Sequence, residues 1–210
     1  MKKLQPHEVQ LAIQFLERLA DAELWIGKAE ELLAAAKILE ADVVRYWSKV
    51  HVKDGRVVSV PCRKNVQGPY FLLTAYGLEN YFKALLVYKN RQSFRNKLLT
   101  KIPDYIKEHD LLRLARKVSM KLTLLEEDLL SRLSRNSIWE ARYPVPTGPN
   151  GITAIQQFSD GKTYLVAYFR LEDVGQIHGF VNRLREYVIA ETRISHNKGL
   201  DLKKETAAIK

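Results

Sequence analysis

The residues best suited to chemistry in this sequence lie near the end of one predicted helix, in the run RNSIWEARYP. Arg135 and Asn136 open the run, and Arg142 and Tyr143 close it just before a proline. Arginine binds phosphate through charged, bidentate hydrogen bonds, and a tyrosine ring can stack on a nucleobase. The two arginines are seven residues apart, about two turns of an α-helix, so both can face one groove. The pattern predicts a cationic clamp for a phosphate-bearing ligand.

The same residues also have a purely structural interpretation. An arginine in the last turn of a helix is favourable through the helix dipole and through carbonyl capping alone. Pro144 disfavours helix in the residue before it, and a Tyr-Pro pair is more often a packed helix stop than a platform for stacking. The sequence leaves both interpretations open.

Proton transfer is the harder requirement for a catalytic site here. Cleaving RNA without a metal needs a group that titrates near neutral pH, which is the usual role of histidine. The sequence places no histidine between Asn136 and Ile177. Arg135 can stabilise phosphate charge but stays protonated, and Glu140 can act as a base only if its surroundings shift its pKa. Arg135 and Glu140 are therefore the only catalytic candidates in this run.

Two histidines elsewhere need separate consideration. Arg45 and His51 have five residues between them, but they fall at the end of an early helix and at the start of a predicted hairpin. His109 precedes Asp110, which is well suited to cap a helix. We expect His109 to fix that helix start, with contact to a nucleotide as the alternative.

Composition limits the class of protein. The chain has 210 residues, of which 46% are hydrophobic, and a single cysteine, Cys62. One cysteine cannot form an internal disulfide, and the N-terminus lacks the pattern of a signal peptide, so we expect a cytoplasmic protein. The apolar stretch 70–88 is interrupted by Glu79 and Lys83, which favours a buried helix over a membrane span. No metal-ligand spacing and no phosphate-binding glycine loop is visible, so we predict neither metal nor cofactor.

The positive charge is concentrated in one part of the chain. The formal net charge is +10. Residues 83–121, which include Arg116, hold eleven basic residues against three acidic ones. This excess favours a polyanionic partner such as RNA. A well-solvated basic surface is the alternative, because net charge alone does not locate a binding face.

The pattern of apolar residues predicts mainly helices. Residues 7–48 show apolar residues at helical spacing, including Leu11 and Phe15, and are long enough for two helices or one bent helix. The stretch 70–88 is apolar on most of its circumference, as a central helix must be, and a basic connector follows it.

Signals for the ends of elements are clear in the rest of the chain. Asp110 and the capping box formed by Thr123 and Glu126 each predict a helix start, and the second of these helices ends by residue 143. A final helix is expected at about 171–192. Asp54-Gly55 and Asp160-Gly161 predict the turns of two hairpins.

Three blocks resemble the HEPN family in their order and approximate spacing. They are GLENYFKALLV (77–87), HDLLRLA (109–115) and WEARYP (139–144). The resemblance implies an up-and-down bundle of four to five helices, often dimeric, that binds nucleotides or RNA. Many members are metal-independent ribonucleases that use an arginine followed shortly by a histidine, and that dyad is missing after Arg135.

With this resemblance, the sequence predicts a single HEPN-like domain over residues 1–192. Residues 1–20 form an extra N-terminal helix, 50–66 and 150–170 are hairpin insertions, and 193–210 are a polar, flexible tail. The leading hypothesis is a homodimer that binds RNA or a nucleotide without the usual ribonuclease activity. The predicted binding residues are Arg135, Asn136, Arg142, Tyr143, His109 and Arg116.

Two alternatives remain open. One is a metal-independent ribonuclease of a toxin–antitoxin or defence system, using Arg135 with Glu140 or with a histidine brought in by folding. The other is an interaction module whose partner is a nucleotidyltransferase, since members of this family are often encoded beside one.

Overall fold

The chain folds mainly into helices that pack as a bundle. The computed structural model describes residues 5–49, 51–53, 56–59, 66–96, 102–140, 155–165 and 169–208. Within these ranges most residues are helical, which confirms the predicted mainly all-α fold class. None of the helices in these ranges combines the length and the hydropathy that a membrane span requires.

The N-terminal region forms two helices, α1 (Pro6–Leu19) and α2 (Ala22–Trp47), which is the first of the two alternatives predicted for residues 7–48. The break falls at Asp21, whose carboxylate accepts the N–H of Glu23 at 2.9 Å and caps α2. In α1 the apolar residues do not all face the core, because Leu11 is 62% exposed and Phe15 is 51% exposed.

Helix α3 (Gln67–Lys89) is the centre of the bundle, and α2, α5, α6 and α7 all pack against it. It is buried around most of its circumference, as its sequence predicts. Gly77 permits a close approach of α2, since a Cβ atom at this position would lie 2.6 Å from Cγ of Leu33.

A series of short elements follows α3. Helix α4 (Arg91–Asn96) and a 3-10 turn (Asp104–Ile106) lie within the expected basic connector. Helix α5 (Leu111–Lys117) is capped by Asp110, which accepts the N–H of Arg113 at 3.0 Å.

Helix α6 (Leu124–Arg135) begins with the predicted capping box of Thr123 and Glu126. Leu129 and Leu133 are buried in its apolar face, whereas Leu125 is exposed. The chain then widens into a π-helical turn (Asn136–Glu140). The expected end of the helix at residues 142–143 lies outside the described residues.

The last helix is longer than predicted. Helix α7 (Glu172–Ala208) continues beyond residue 192, where the sequence predicts a flexible tail. The prediction was wrong about the end of this helix. Leu, Lys, Glu and Ala dominate residues 200–208 and favour helix strongly enough to outweigh Gly199.

Among the described residues, four short strands form two antiparallel pairs. Strand β1 (His51–Lys53) pairs with β2 (Arg56–Ser59), and β3 (Ile155–Gln157) pairs with β4 (Thr163–Leu165). Gly161 lies between β3 and β4 with a φ of 77°, a conformation that favours glycine. The predicted turn residues Asp54 and Gly55 lie outside the described residues.

Two glycines in helix interiors allow a matched test of the packing around α3. Gly27→Ala meets no atom within 4 Å, so we expect it to raise the free energy of unfolding by about 1 kcal/mol through helix propensity. Gly77→Ala places the same methyl group against Leu33, so we expect a net loss of about 2 kcal/mol from overpacking. Urea denaturation measures both. Equal effects of the two substitutions would contradict the close approach of α2 to α3.

Candidate functional site

An ion pair lies buried inside the central helix. The Nζ atom of Lys83 is 2.6 Å from Oε1 of Glu79, one turn earlier in α3. Both residues are almost fully buried, with exposed fractions of 6% for Glu79 and 3% for Lys83. Two residues four apart in a helix lie on the same face, so the sequence predicts this pair, and the structure confirms it. Burying two charges costs several kcal/mol per ion before their attraction is counted, so each charge needs strong partners.

The second partner of Glu79 is His109. Its Nδ1 atom lies 3.1 and 3.2 Å from the two carboxylate oxygens of Glu79. A carboxylate only accepts hydrogen bonds, so Nδ1 carries the proton that it donates. In the neutral ring, Nε2 is then the acceptor on the far side. Because the side chain of His109 is 56% exposed, this imidazole is held from within the bundle and is accessible from outside.

The start of α5 is joined to the end of α6. The N–H of Leu111 donates to Oγ of Ser134 at 2.8 Å, and Ser134 is buried. His109 lies two residues before Leu111, and Arg135 directly follows Ser134. The path from His109 to Arg135 runs along the backbone to Leu111, across the hydrogen bond to Ser134 and along the backbone again. The summed lengths place the Cα atoms of His109 and Arg135 within about 15 Å of each other. The two predicted site residues therefore lie at the same end of the bundle.

Buried polar side chains surround the turn that follows Arg135. Asn136 and Ser137 are buried in the π-helical turn, which packs against α3. Ser137 donates from Oγ to the carbonyl of Ser134 at 2.9 Å. The Oδ1 atom of Asn136 is buried and has no hydrogen-bond partner among the described residues. Single-turn π segments occur often at functional sites because they redirect side chains out of the regular helical rows.

The remaining predicted residues have separate outcomes. Arg116 is exposed in the last turn of α5, about 10 Å along the chain from His109 at helical rise. The backbone of Glu140 ends the π-helical turn, but its side chain is not among those that the structure describes.

Arg142 and Tyr143 lie outside the described residues altogether. The seven-residue spacing used to place Arg142 beside Arg135 assumed a continuous α-helix, and the π-helical turn breaks that assumption.

The pair of Arg45 and His51 gains no support from the structure. Arg45 is near the end of α2 and bonds Asp42 at 2.8 Å, and His51 begins β1.

Glu79 and Lys83 were missed as members of a site by sequence reasoning. Their spacing predicts the ion pair but not its contact with His109, which is thirty positions away in the chain. The cation of Lys83 also lies 6.0 Å from the ring centroid of Trp25 at the start of α2. The one available signal was the presence of two charges inside an otherwise apolar helix.

Comparison with known proteins gives no relative of this chain: no family model, no curated protein and no solved structure matches it.

The buried pair allows a prediction about stability. Lys83→Met leaves the carboxylate of Glu79 buried without its cation, so we expect the free energy of unfolding to fall by about 3 kcal/mol. The matched control is Lys28→Met in the exposed pair of Lys28 and Glu31, where we expect a change below about 1 kcal/mol. The double variant Glu79→Gln with Lys83→Met should recover part of the loss. A Lys83→Met protein as stable as wild type in urea would show that Glu79 does not depend on its cation.

Proposed function

We propose that this protein binds RNA or a nucleotide through its phosphate groups, at the end of the bundle where α5 starts and α6 ends. The site comprises His109, Arg135 and Asn136, with Arg116 at its edge. The observation that carries the proposal is the half-exposed imidazole of His109, held by a carboxylate that is itself buried with Lys83. A buried ion pair contributes little to stability by itself. Since this pair orients an accessible imidazole, a functional role is favoured.

The charge distribution supports a phosphate ligand. On α5, Arg113 and Lys117 lie near the carboxylate of Glu108, each with a nitrogen–oxygen distance of 3.9 Å. Arg116 is exposed, and no carboxylate pairs with it within the described ranges. Its charge is therefore available to a ligand, and Arg135 adds a second cation at the same end. The net charge of +10 acts in the same direction by attracting polyanions over a longer range.

The resemblance to HEPN domains agrees with this location. The block GLENYFKALLV supplies Glu79 and Lys83, and the block HDLLRLA supplies His109. On this proposal the protein is a HEPN-like homodimer, and the two pairs of strands are additions to the bundle of that family. The third block, WEARYP, follows Arg135 in the sequence.

One observation favours a second function, that of a metal-independent ribonuclease. The sequence lacks a histidine after Arg135, but His109 is at the same end of the bundle with Nδ1 bound to Glu79. Its Nε2 atom is suited to take the proton of a 2′-hydroxyl group. The 2′-oxygen would attack phosphorus, the 5′-oxygen would leave and take up the proton, and Arg135 would stabilise the charge on the phosphoryl oxygens.

Binding is tested by fluorescence anisotropy with a labelled single-stranded RNA and with a labelled ATP analogue. We expect Arg116→Ala to weaken RNA binding about fivefold at low salt. The slope of the logarithm of the binding constant against the logarithm of the salt concentration should become shallower by about one. Arg135→Ala should weaken binding of both ligands. Arg45→Ala, which removes an exposed arginine paired with Asp42, is the matched control and should have little effect. No binding at low salt, or equal losses in all three variants, would refute the proposed site.

The ribonuclease alternative makes a separate prediction. Incubation with structured RNA in EDTA should give products with 2′,3′-cyclic phosphate ends, and His109→Gln should abolish the cleavage even at protein concentrations that saturate RNA binding. Mass spectrometry of the products identifies the ends. Binding without cleavage by the wild-type protein would leave the binding function and exclude this alternative.

A further inference from the structure

A groove lies on the face of α3 opposite to the proposed phosphate site. Tyr70 and Glu79 are nine positions apart in α3, which is half a turn beyond two full turns, so their side chains leave the helix on opposite sides. On the side of Tyr70, α2 and α7 both pack on α3, and the space between them has a volume of about 330 Å³. That volume is at the small end of the range for ligand pockets, so it suits a small molecule.

Charged side chains bridge α2 and α7 at both ends of the groove. At one end, Nε of Arg185 is 2.7 Å from Glu30. At the other end, His178 contacts Glu40. His178 and Arg185 are seven residues apart in α7, so the two ends are separated by about 10 Å. The walls between them are apolar and consist of Leu33, Ala34, Ala36, Ile177 and Val181.

The floor of the groove holds a buried hydroxyl group. Tyr70 lines the groove and is 2% exposed, and its hydroxyl has no hydrogen-bond partner among the described residues. Burial, and after it the nearby carboxylate of Glu40, raises the pKa of Tyr70, so the group stays a neutral phenol. An unsatisfied buried hydroxyl costs about 1–3 kcal/mol. A ligand group that hydrogen-bonds to it would remove that cost.

The end of the groove at Glu40 is suited to a cation. The carboxylate of Glu40 accepts from Lys37 at 2.8 Å and contacts His178. A carboxylate has about four lone-pair positions, so acceptor capacity remains. The side chain of Lys37 is mostly exposed, so its pair with Glu40 is weak and can yield to a competing cation. The phenol of Tyr70 is close to the same carboxylate, because Glu40 contributes to its raised pKa. A ligand ammonium group that reaches the buried oxygen of Tyr70 gains it as a second acceptor.

The end at Arg185 is suited to an anion. The guanidinium of Arg185 binds Glu30 through Nε and Nη2 and donates from Nη1 to Oδ1 of Asn182 at 3.2 Å. Since a guanidinium has five N–H donors, two remain for a ligand. The exposed amide nitrogen of Asn182 adds further donors beside them, whereas Glu30 already accepts from both Arg185 and Tyr81.

We infer that this groove binds a small zwitterion with an apolar body about 10 Å long. Its ammonium group lies at Glu40 and Tyr70, and its carboxylate lies at Arg185 and Asn182. The apolar walls cover the part in between. Such a ligand is a short apolar peptide or an ω-amino acid. This site is independent of the phosphate site, because it uses the other face of α3.

Isothermal titration calorimetry on the full chain tests this inference with four probes. They are ω-aminooctanoate, the tripeptide alanyl-leucyl-alanine, octanoate and octylamine. We expect at least one of the two zwitterions to bind, and the two singly charged probes to bind at least about tenfold more weakly because each loses one charged contact. Tighter binding of the tripeptide assigns the site to peptides, and tighter binding of ω-aminooctanoate assigns it to ω-amino acids.

Variants distinguish specific binding of the zwitterion from nonspecific binding in the groove. Tyr70→Phe should weaken binding of the zwitterion about tenfold without lowering the melting temperature, because the lost hydroxyl has no partner in the free protein. Asn182→Ala, at an exposed position, should also weaken binding and should leave RNA binding unchanged. The inference is wrong if neither zwitterion binds, if octanoate or octylamine binds as tightly as the zwitterions, or if Tyr70→Phe binds like wild type.

Discussion

The ion pair of Glu79 and Lys83, buried inside the central helix, constrains the elements that pack around it. Two charges inside a central apolar helix cannot be left without partners, so the surrounding elements must supply them. Lys83 supplies one partner within the same helix, and His109 supplies the other from the residue that precedes the cap of α5. The position of α5 relative to α3 is therefore fixed by a polar contact as well as by the packing of its leucines. The same contact leaves the imidazole of His109 at the surface, with Nδ1 bound to Glu79 and Nε2 facing away from it.

The end of α6 is hydrogen-bonded to the start of α5. Ser134 uses its hydroxyl to accept the N–H of Leu111 and to donate to the carbonyl of Leu130, so it joins α5 to α6 within the buried region. The π-helical turn then begins and carries Asn136 and Ser137 into the interior. Buried polar atoms are costly unless they are hydrogen-bonded, so a buried atom without a partner among the described residues is a candidate for contact with a ligand. By this criterion Asn136 marks one side of α3 and Tyr70 marks the other.

Local signals in the sequence predicted the local structure well. Asp110, Thr123 and Glu126 cap the helices that they were expected to cap, because a cap depends on residues within one turn of chain. The end of α7 was predicted wrongly, since one glycine and a polar composition are weaker signals than the helix propensity of the residues around them. Whether Leu11 and Leu125 face the core depends on what packs against α1 and α6, which spacing along a helix does not show. The contact of His109 with Glu79 and the burial of the hydroxyl of Tyr70 come from tertiary packing, so periodicity offered no sign of either.

The most direct test of the proposed site is the NMR signal of the His109 ring itself. Long-range proton–nitrogen spectra of the full chain report the tautomer and the surroundings of each histidine. We predict that the His109 ring is protonated at Nδ1 in the free protein and that its Nε2 resonance shifts on addition of a short RNA or of ATP, while that of His178 on the opposite side does not. A His109 signal unchanged at ligand saturation, or a shift confined to His178, would contradict the account.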